Sequence, residues 1–252
     1  MPAPRRQLWP ILMQRVDIPE ILDSDTCPPG EVEASLRDLV RINRWFGGVA
    51  TTAALVERAA HRAGRRRLTL LEVAAGSGEV TRLVGERVGH SGITLDVTLL
   101  DRARTHLFDG GRAVVGDGLA LPFAENAFDV VSCNLFAHHL DPESLRRFVK
   151  QALRVSRCAV LINDLVRHPL HLALVYAGFP LMRSQVSRAD GVASVRRAYV
   201  PEEIREILAP AMAPDQGMEI SRHFLFRMGV IVWKRGAEAR EPMWRLSSDV
   251  VG

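Results

Sequence analysis

Cysteine is scarce in this chain. Cys27, Cys133 and Cys158 stand alone, with no C-x-x-C spacing, so neither a zinc ribbon nor a disulfide framework is implied and a reducing cytoplasm is the expected compartment. Cys133 and Cys158 sit in apolar runs and read as core filler. Lysine is scarcer still: Lys150 and Lys234 are the only lysines among 33 basic residues. The formal net charge of +4 therefore rests on scattered arginines, not on a basic stripe of the kind that grips nucleic acid. No run approaches the ~18 apolar residues of a membrane span. The apolar stretch Leu8 to Met13 is broken by Pro10 and is too short for a signal peptide. No repeat and no low-complexity tract is present.

What is there describes an ordinary soluble globule, with 47% hydrophobic and 25% charged residues. At 252 residues the chain has room for one large core, or one domain with a cap. The organising stretch is Leu68 to Val84, LTLLEVAAGSGEVTRLV. An apolar run ends near Glu72, Gly76-Ser77-Gly78 follows, and Glu79 onward is helical in pattern. Strand, glycine turn and helix form the entry to a nucleotide-type site in an open α/β sheet. The glycines allow close backbone approach, and the helix behind them presents free N–H groups. A dinucleotide fingerprint would place a third glycine where Thr81 stands, which weakens a nicotinamide reading. Asp101 ends the next strand, 23 residues past Gly78, a spacing suited to a carboxylate on ribose hydroxyls.

Glu72-Val73-Ala74-Ala75-Gly76-Ser77-Gly78 resembles the acid-x-G-x-G-x-G motif of class I S-adenosylmethionine-dependent methyltransferases, with Ala74 in the place of the first glycine. Further on, Leu121-Pro122-Phe123 and Phe128-Asp129, then Asn134-Leu135-Phe136-Ala137-His138-His139-Leu140-Asp141, are similar to the methyltransferases of ubiquinone and menaquinone biosynthesis. The resemblance covers about residues 30–236. It implies an α/β fold: a seven-stranded, Rossmann-like, mostly parallel sheet with an antiparallel C-terminal hairpin, N-terminal lid helices and a helical cap insert after strand five. Residues 1–30 read as an irregular segment, 31–236 as the methyltransferase domain (lid helices 31–63, cap insert 165–200), and 237–252 as a loose tail.

In chain order, helices are expected over Glu31 to Phe46 and Val49 to Ala63, with Trp45 stapling the first to the core and Arg44 solvated. Strands follow at 68–74, Ile93 to Leu100, Arg112 to Val115, Val130 to Asn134 and Ala159 to Asn163. Asp141 and Pro142 open a helix running to Val155. Leu170 to Met182 is an apolar segment expected over the substrate side of the site. Arg183 to Tyr199 reads as a polar loop, Pro201 to Leu208 as a helix, and Met218 to Arg227 with Met228 to Lys234 as the closing hairpin.

The resemblance implies S-adenosylmethionine as cofactor, held by Glu72, Ala74, Gly76, Gly78, Asp101, Arg102, Asp117, Gly118 and Asn134. The reaction aligns a nucleophile with a sulfonium methyl and removes a proton. His138 and His139 are the candidate bases, since imidazole titrates near neutrality. Adjacent side chains at such a turn are not expected to face one crevice together, so His138 is assigned to it and His139 to packing or cofactor orientation. Asn163, Asp164, Arg167 and His168 are candidate substrate contacts. No metal ligand set is visible, and none is predicted. Base N-methylation is disfavoured by the absence of proline after Asn134.

The function read from these features is methylation of a small aromatic or apolar molecule in bacterial secondary metabolism, first of a phenolic, quinol or polyketide hydroxyl. C-methylation of a quinone-type ring is the alternative, then an RNA methyltransferase or a non-catalytic methyltransferase-like binding protein. The partner is a small molecule rather than nucleic acid, and the oligomeric state is left open.

Overall fold

The computed structural model describes residues 13–23, 27–104, 107, 112–213 and 216–234. Seven strands form one sheet in the order β3-β2-β1-β4-β5-β7-β6. They are β1 (Arg67–Val73), β2 (Thr94–Asp101), β3 (Arg112–Val115), β4 (Phe128–Asn134), β5 (Ser156–Leu165), β6 (Met218–His223) and β7 (Arg227–Trp233). Strands β1 to β5 pair in parallel, and β7 enters antiparallel between β5 and β6. The chain order reverses between β1 and β4, which is where such sheets open a crevice at their carboxyl ends.

The two sheet faces follow from alternation along the strands. Leu70, Val130, Ala159, Leu161 and Ile231 point to one face. There they meet α2 (Gly48–Ala63) and α3 (Glu79–Gly89) through Val56, Ala59, Val84 and Val88. Leu71, Val131, Val160, Ile162 and Val230 point to the other face. They pack on α4 (Pro142–Val155) and α7 (Pro201–Leu208) through Leu145, Phe148, Ile204 and Leu208. The α4 cap forms as the sequence predicts: Asp141 accepts from the backbone N–H of Glu143 at 2.8 Å and of Ser144 at 2.9 Å.

Several expectations are corrected. Helix α1 (Pro29–Trp45) lies over the crevice as a lid should, but α2 is a sheet-packing helix, buried through Val49, Ala53, Leu55 and Val56. Trp45 is 57% exposed and staples nothing to the core. The expected polar loop after Met182 is instead helix α6 (Gln185–Arg197), capped by Ser184, whose hydroxyl accepts from the Val186 and Ser187 N–H groups. Its polar residues mislead because several are buried partners and not solvated ones. Asp190 receives the Ile21 and Leu22 N–H groups at 2.7 and 3.1 Å, and Ser187 bonds Ser35 of α1 at 3.1 Å.

The apolar helix α5 (Pro169–Ala177) does not line the crevice. Its Leu170, Leu174 and Tyr176 are exposed, and only His171 is buried. Strand β5 runs longer at both ends than its apolar centre suggested, because pairing with β4 and β7 carries it from Ser156 to Leu165. The tail 237–252 and residues 1–12 lie outside the described residues.

Candidate functional site

A cavity of about 1020 Å³ opens at the carboxyl ends of β1, β2 and β4, roofed by Val32, Leu36, Leu39 and Val40 of α1. The predicted residues Glu72, Ala74, Gly76, Asp101, Arg102, Asp117, Gly118 and Asn134 all line it. Gly78 does not; it stands behind the wall as the residue before α3, with φ of 71°. A Cβ there would come within 2.4 Å of Leu99, so the turn requires glycine for conformation and for space. Ala74 and Leu135, at φ 54° each, hold the same left-handed backbone with side chains on it. Both flank the cavity, where such strain concentrates.

The floor of the cavity is a buried polar chain. Glu72 Oε1 accepts from Asn134 Nδ2 at 2.7 Å. Asn134 Oδ1 accepts from Thr52 Oγ1 and, at 2.9 Å, from Asn163 Nδ2. The same Asn163 amide also donates to the Gly48 carbonyl at 2.8 Å. Asn163 thus fixes the Asn134 amide and is absent from the cavity wall. Glu72 is fully buried, and its Oε2 has no donor within hydrogen-bond distance among the described residues. Burial drives its pKa up to about 7, against the pull of Asn134 and Ser132. Asp101 is fixed differently: its two oxygens accept from the backbone N–H groups of Gly76 and Ala103, each at 2.9 Å. The carboxylate plane is thereby set at the end of β2. Asp117 is exposed and caps its own turn through Leu119 N–H at 2.8 Å.

The far end of the cavity carries Glu20, His138, His139, Leu140 and Ser194. His138 is enclosed, 1% exposed, with Nδ1 2.6 Å from Asp164 Oδ1 and Nε2 3.2 Å from Glu20 Oε1. Burial alone would lower its pKa, but the two carboxylates outweigh burial and push it up to about 10. An imidazole already protonated between two carboxylates does not take up a proton near neutrality. The assignment of His138 as the base is therefore corrected. Its neighbour is better disposed: His139 is 20% exposed, and its Nε2 lies 3.7 Å from Glu20 Oε2. Both histidines line the cavity from the 3₁₀ turn Ala137–His139, their rings tilted 35° to each other at 4.3 Å between centroids, against the expectation that only one could.

The other proposed substrate contacts lie elsewhere. Asp164 is spent on His138, accepting also from its backbone N–H at 2.9 Å. Arg167 is buried outside the cavity wall, pairing Glu203 at 2.6 Å and donating to the carbonyls of Met13 and Ala198, each at 2.6 Å. His168 caps α5, its Nδ1 accepting from Leu170 N–H at 3.1 Å, and stacks on Phe226. Sequence reasoning missed Glu20, Ser194 and Thr52. Glu20 sits in a segment with no periodicity to read, 118 residues from His138.

Comparison with known proteins agrees with this architecture. The family model described as a methyltransferase domain matches residues 71–158. The chain is 25% identical over 203 residues to a ubiquinone/menaquinone biosynthesis C-methyltransferase, UbiE, of Hahella chejuensis, covering 73% of this chain and 79% of that one. The fold is like that of the plantazolicin methyltransferase BpumL, solved with S-adenosylhomocysteine: TM-score 0.60, 13% identity, 85% of this chain and 92% of that one. It is also like a methyltransferase from Aquifex aeolicus: TM-score 0.53, 14% identity, 82% and 99%.

Proposed function

We infer that this chain, a class I S-adenosylmethionine-dependent methyltransferase, methylates a small aromatic or apolar molecule through an ionisable hydroxyl, with the oxygen as first acceptor. The observation that carries this reading is one cavity with a different chemistry at each end. At one end stand the Glu72 oxygen, without a hydrogen-bond partner among the described residues, and the anchored Asp101 carboxylate; at the other stands the Glu20–His139 pair.

The residues fit the cofactor. A buried carboxylate oxygen with no donor suits an ammonium group, and a carboxylate at the end of β2 suits a ribose diol. Ala74, Gly76, Asp117, Gly118 and Asn134 would complete the holding set. When bound, S-adenosylmethionine supplies an electrophilic methyl on a sulfonium. The chain's own residues do the rest. His139 takes the hydroxyl proton of the acceptor at Nε2, and Glu20 stabilises the imidazolium that results. Leu36, Leu39, Val40 and Leu140 exclude water and accept an apolar ring. His138 and Asp164 hold the turn that carries His139.

C-methylation at a carbon beside the hydroxyl is the second reading. It needs the same deprotonation, and the likeness to UbiE of Hahella chejuensis favours it. An RNA substrate is disfavoured by the cavity's charge. Glu20, Glu33, Glu72, Asp101 and Asp117 line it against Arg102 and Arg104, whereas a phosphate backbone needs a basic groove. A cytoplasmic location is proposed from cysteine usage.

Calorimetric titration with S-adenosylhomocysteine, repeated with Asp101→Ala, tests the cofactor end. Micromolar binding lost in the variant is expected, and equal binding by both would overturn the assignment. Mass analysis of products from a phenol and quinol panel then separates O- from C-methylation. His139→Ala is expected to keep cofactor affinity and to lose turnover by about 10²-fold or more.

A further inference from the structure

Among the described residues, one group of three metal-capable side chains lies together, and it is at the acceptor end of the cavity. Glu20, His138 and His139 bring one ligand atom each to within 4.8 Å of one another. His138 Nε2 lies 3.2 Å from Glu20 Oε1, and His139 Nε2 lies 3.7 Å from the other oxygen of the same carboxylate, Oε2. Zinc bonds of about 2.0–2.1 Å in a tetrahedron set neighbouring ligands about 3.3 Å apart. The two approaches, one at each oxygen of the carboxylate, lie on either side of that edge length.

The surroundings are those of a built site. Asp164 Oδ1 sits 2.6 Å from His138 Nδ1, the carboxylate–histidine arrangement that orients a ligating imidazole through its other nitrogen. The turn carrying both histidines is clamped from three sides. Asp164 takes the His138 N–H at 2.9 Å, Arg15 donates to the His138 carbonyl at 3.1 Å, and Arg197 donates to the His139 carbonyl at 3.0 Å. Ser194 Oγ donates to Glu20 Oε1 at 2.8 Å and so orients the third ligand. Glu20, His138, His139 and Ser194 all face the cavity, which leaves at least one coordination position open to what enters it.

We propose that Glu20, His138 and His139 form a binding site for a single zinc-class divalent cation, with Asp164 as its outer-shell carboxylate and the open position turned toward the acceptor. Two imidazoles and one carboxylate select zinc, cobalt or iron(II) over magnesium and calcium, which prefer all-oxygen shells. The cation takes the place of the proton shared between His138 and Glu20. Its open position accepts water or an acceptor oxygen, and with the cation in place His139 Nε2 is a ligand, so a bound hydroxyl gives its proton to water and not to His139; only the identity of the acceptor rests on the function proposed above, and the cation site itself does not.

The test is equilibrium dialysis of the tag-free, full-length, chelator-treated chain against zinc, followed by cobalt(II) titration watched by visible absorption. One equivalent of zinc and the intense d–d bands of a four-coordinate cobalt site are expected. Both should be lost in Glu20→Ala and in His139→Gln and kept in Cys27→Ser, whose thiol also lines the cavity. S-Adenosylhomocysteine titration of each variant reports that it is folded, and His139→Gln, at the partly exposed position, guards against a folding defect in Glu20→Ala. Binding below one equivalent, binding that survives His139→Gln, or binding lost in Cys27→Ser would overturn the site. None of these readouts depends on turnover, so they leave the methyltransferase reading to its own tests.

Discussion

His138 and Asp164 are bound twice over: the carboxylate receives the histidine's backbone N–H at 2.9 Å through Oδ2 and faces its Nδ1 at 2.6 Å through Oδ1. The pair joins the end of β4 to the end of β5 beneath the cavity. Its histidine titrates at about 10 in the folded chain against 6.5 in the reference state. A histidine with a raised folded pKa contributes stability that is complete below the unfolded value and is lost as pH rises through the folded one. The parent should therefore lose stability between pH 6.5 and 10. Asp164→Asn keeps the shape and removes the charge. It should cost about 3 kcal/mol at pH 6 and flatten the alkaline decline. Urea unfolding of the chelator-treated proteins at pH 6 and pH 9 measures both; parallel profiles would refute the charge pairing.

Glu72 gives the opposite experiment. Its carboxyl titrates at about 7 when folded, against 4.5 in the reference state. The unfolded chain gives up this proton more readily, so folding stability falls from pH 4.5 to about 7 and then levels off. Glu72→Gln should gain on the order of 2 kcal/mol in the ligand-free protein above pH 7, while losing about tenfold or more in S-adenosylhomocysteine affinity. A variant weaker on both counts would mean that the carboxylate serves only the fold. In the parent, ligand binding should release a proton just below pH 7, read by calorimetry in buffers of different ionisation enthalpy.

The glycine turn should respond by position. Gly76→Ala meets only Leu36 Cδ2 at 3.7 Å, so it carries the strain of φ +54° alone, about 1 kcal/mol. Gly78→Ala adds a 2.4 Å approach to Leu99 Cδ1 on top of φ +71° and should cost about 2 kcal/mol or more. A double-mutant cycle checks the contact. Leu99→Ala should couple to Gly78→Ala and be additive with Gly76→Ala.

Arg167 separates support from substrate contact. Its guanidinium holds Glu203 and two carbonyls. Arg167→Met should cost about 2–3 kcal/mol of stability by leaving those acceptors unpaired and should leave KM for the acceptor unchanged. A raised KM in a stable variant would restore Arg167 as a substrate residue.

The sequence alone determined the local and the ordered: the strand at 68–74, its glycine turn and the helix after it, the Asp141 cap, the succession of strands and the closing hairpin. Those features depend on short-range chemistry, namely alternation, φ at glycine, and capping side chains, and they are written within a few residues of where they act. It also determined which residues line the crevice at its carboxyl ends, because Glu72, Asp101 and Asn134 lie at or next to the last residue of their strands, Gly76 in the turn after β1, and strand ends of one sheet converge.

Only tertiary structure decided the end of the cavity that carries Glu20, His138 and His139. Glu20 comes from a segment without periodicity, and Ser194 from a helix whose polar residues looked solvated but are partners of α1 and the N-terminal segment. The protonation of His138 followed from two carboxylates 26 and 118 residues away. A pKa is set by what the fold brings within a few ångströms, and no spacing along the chain records that.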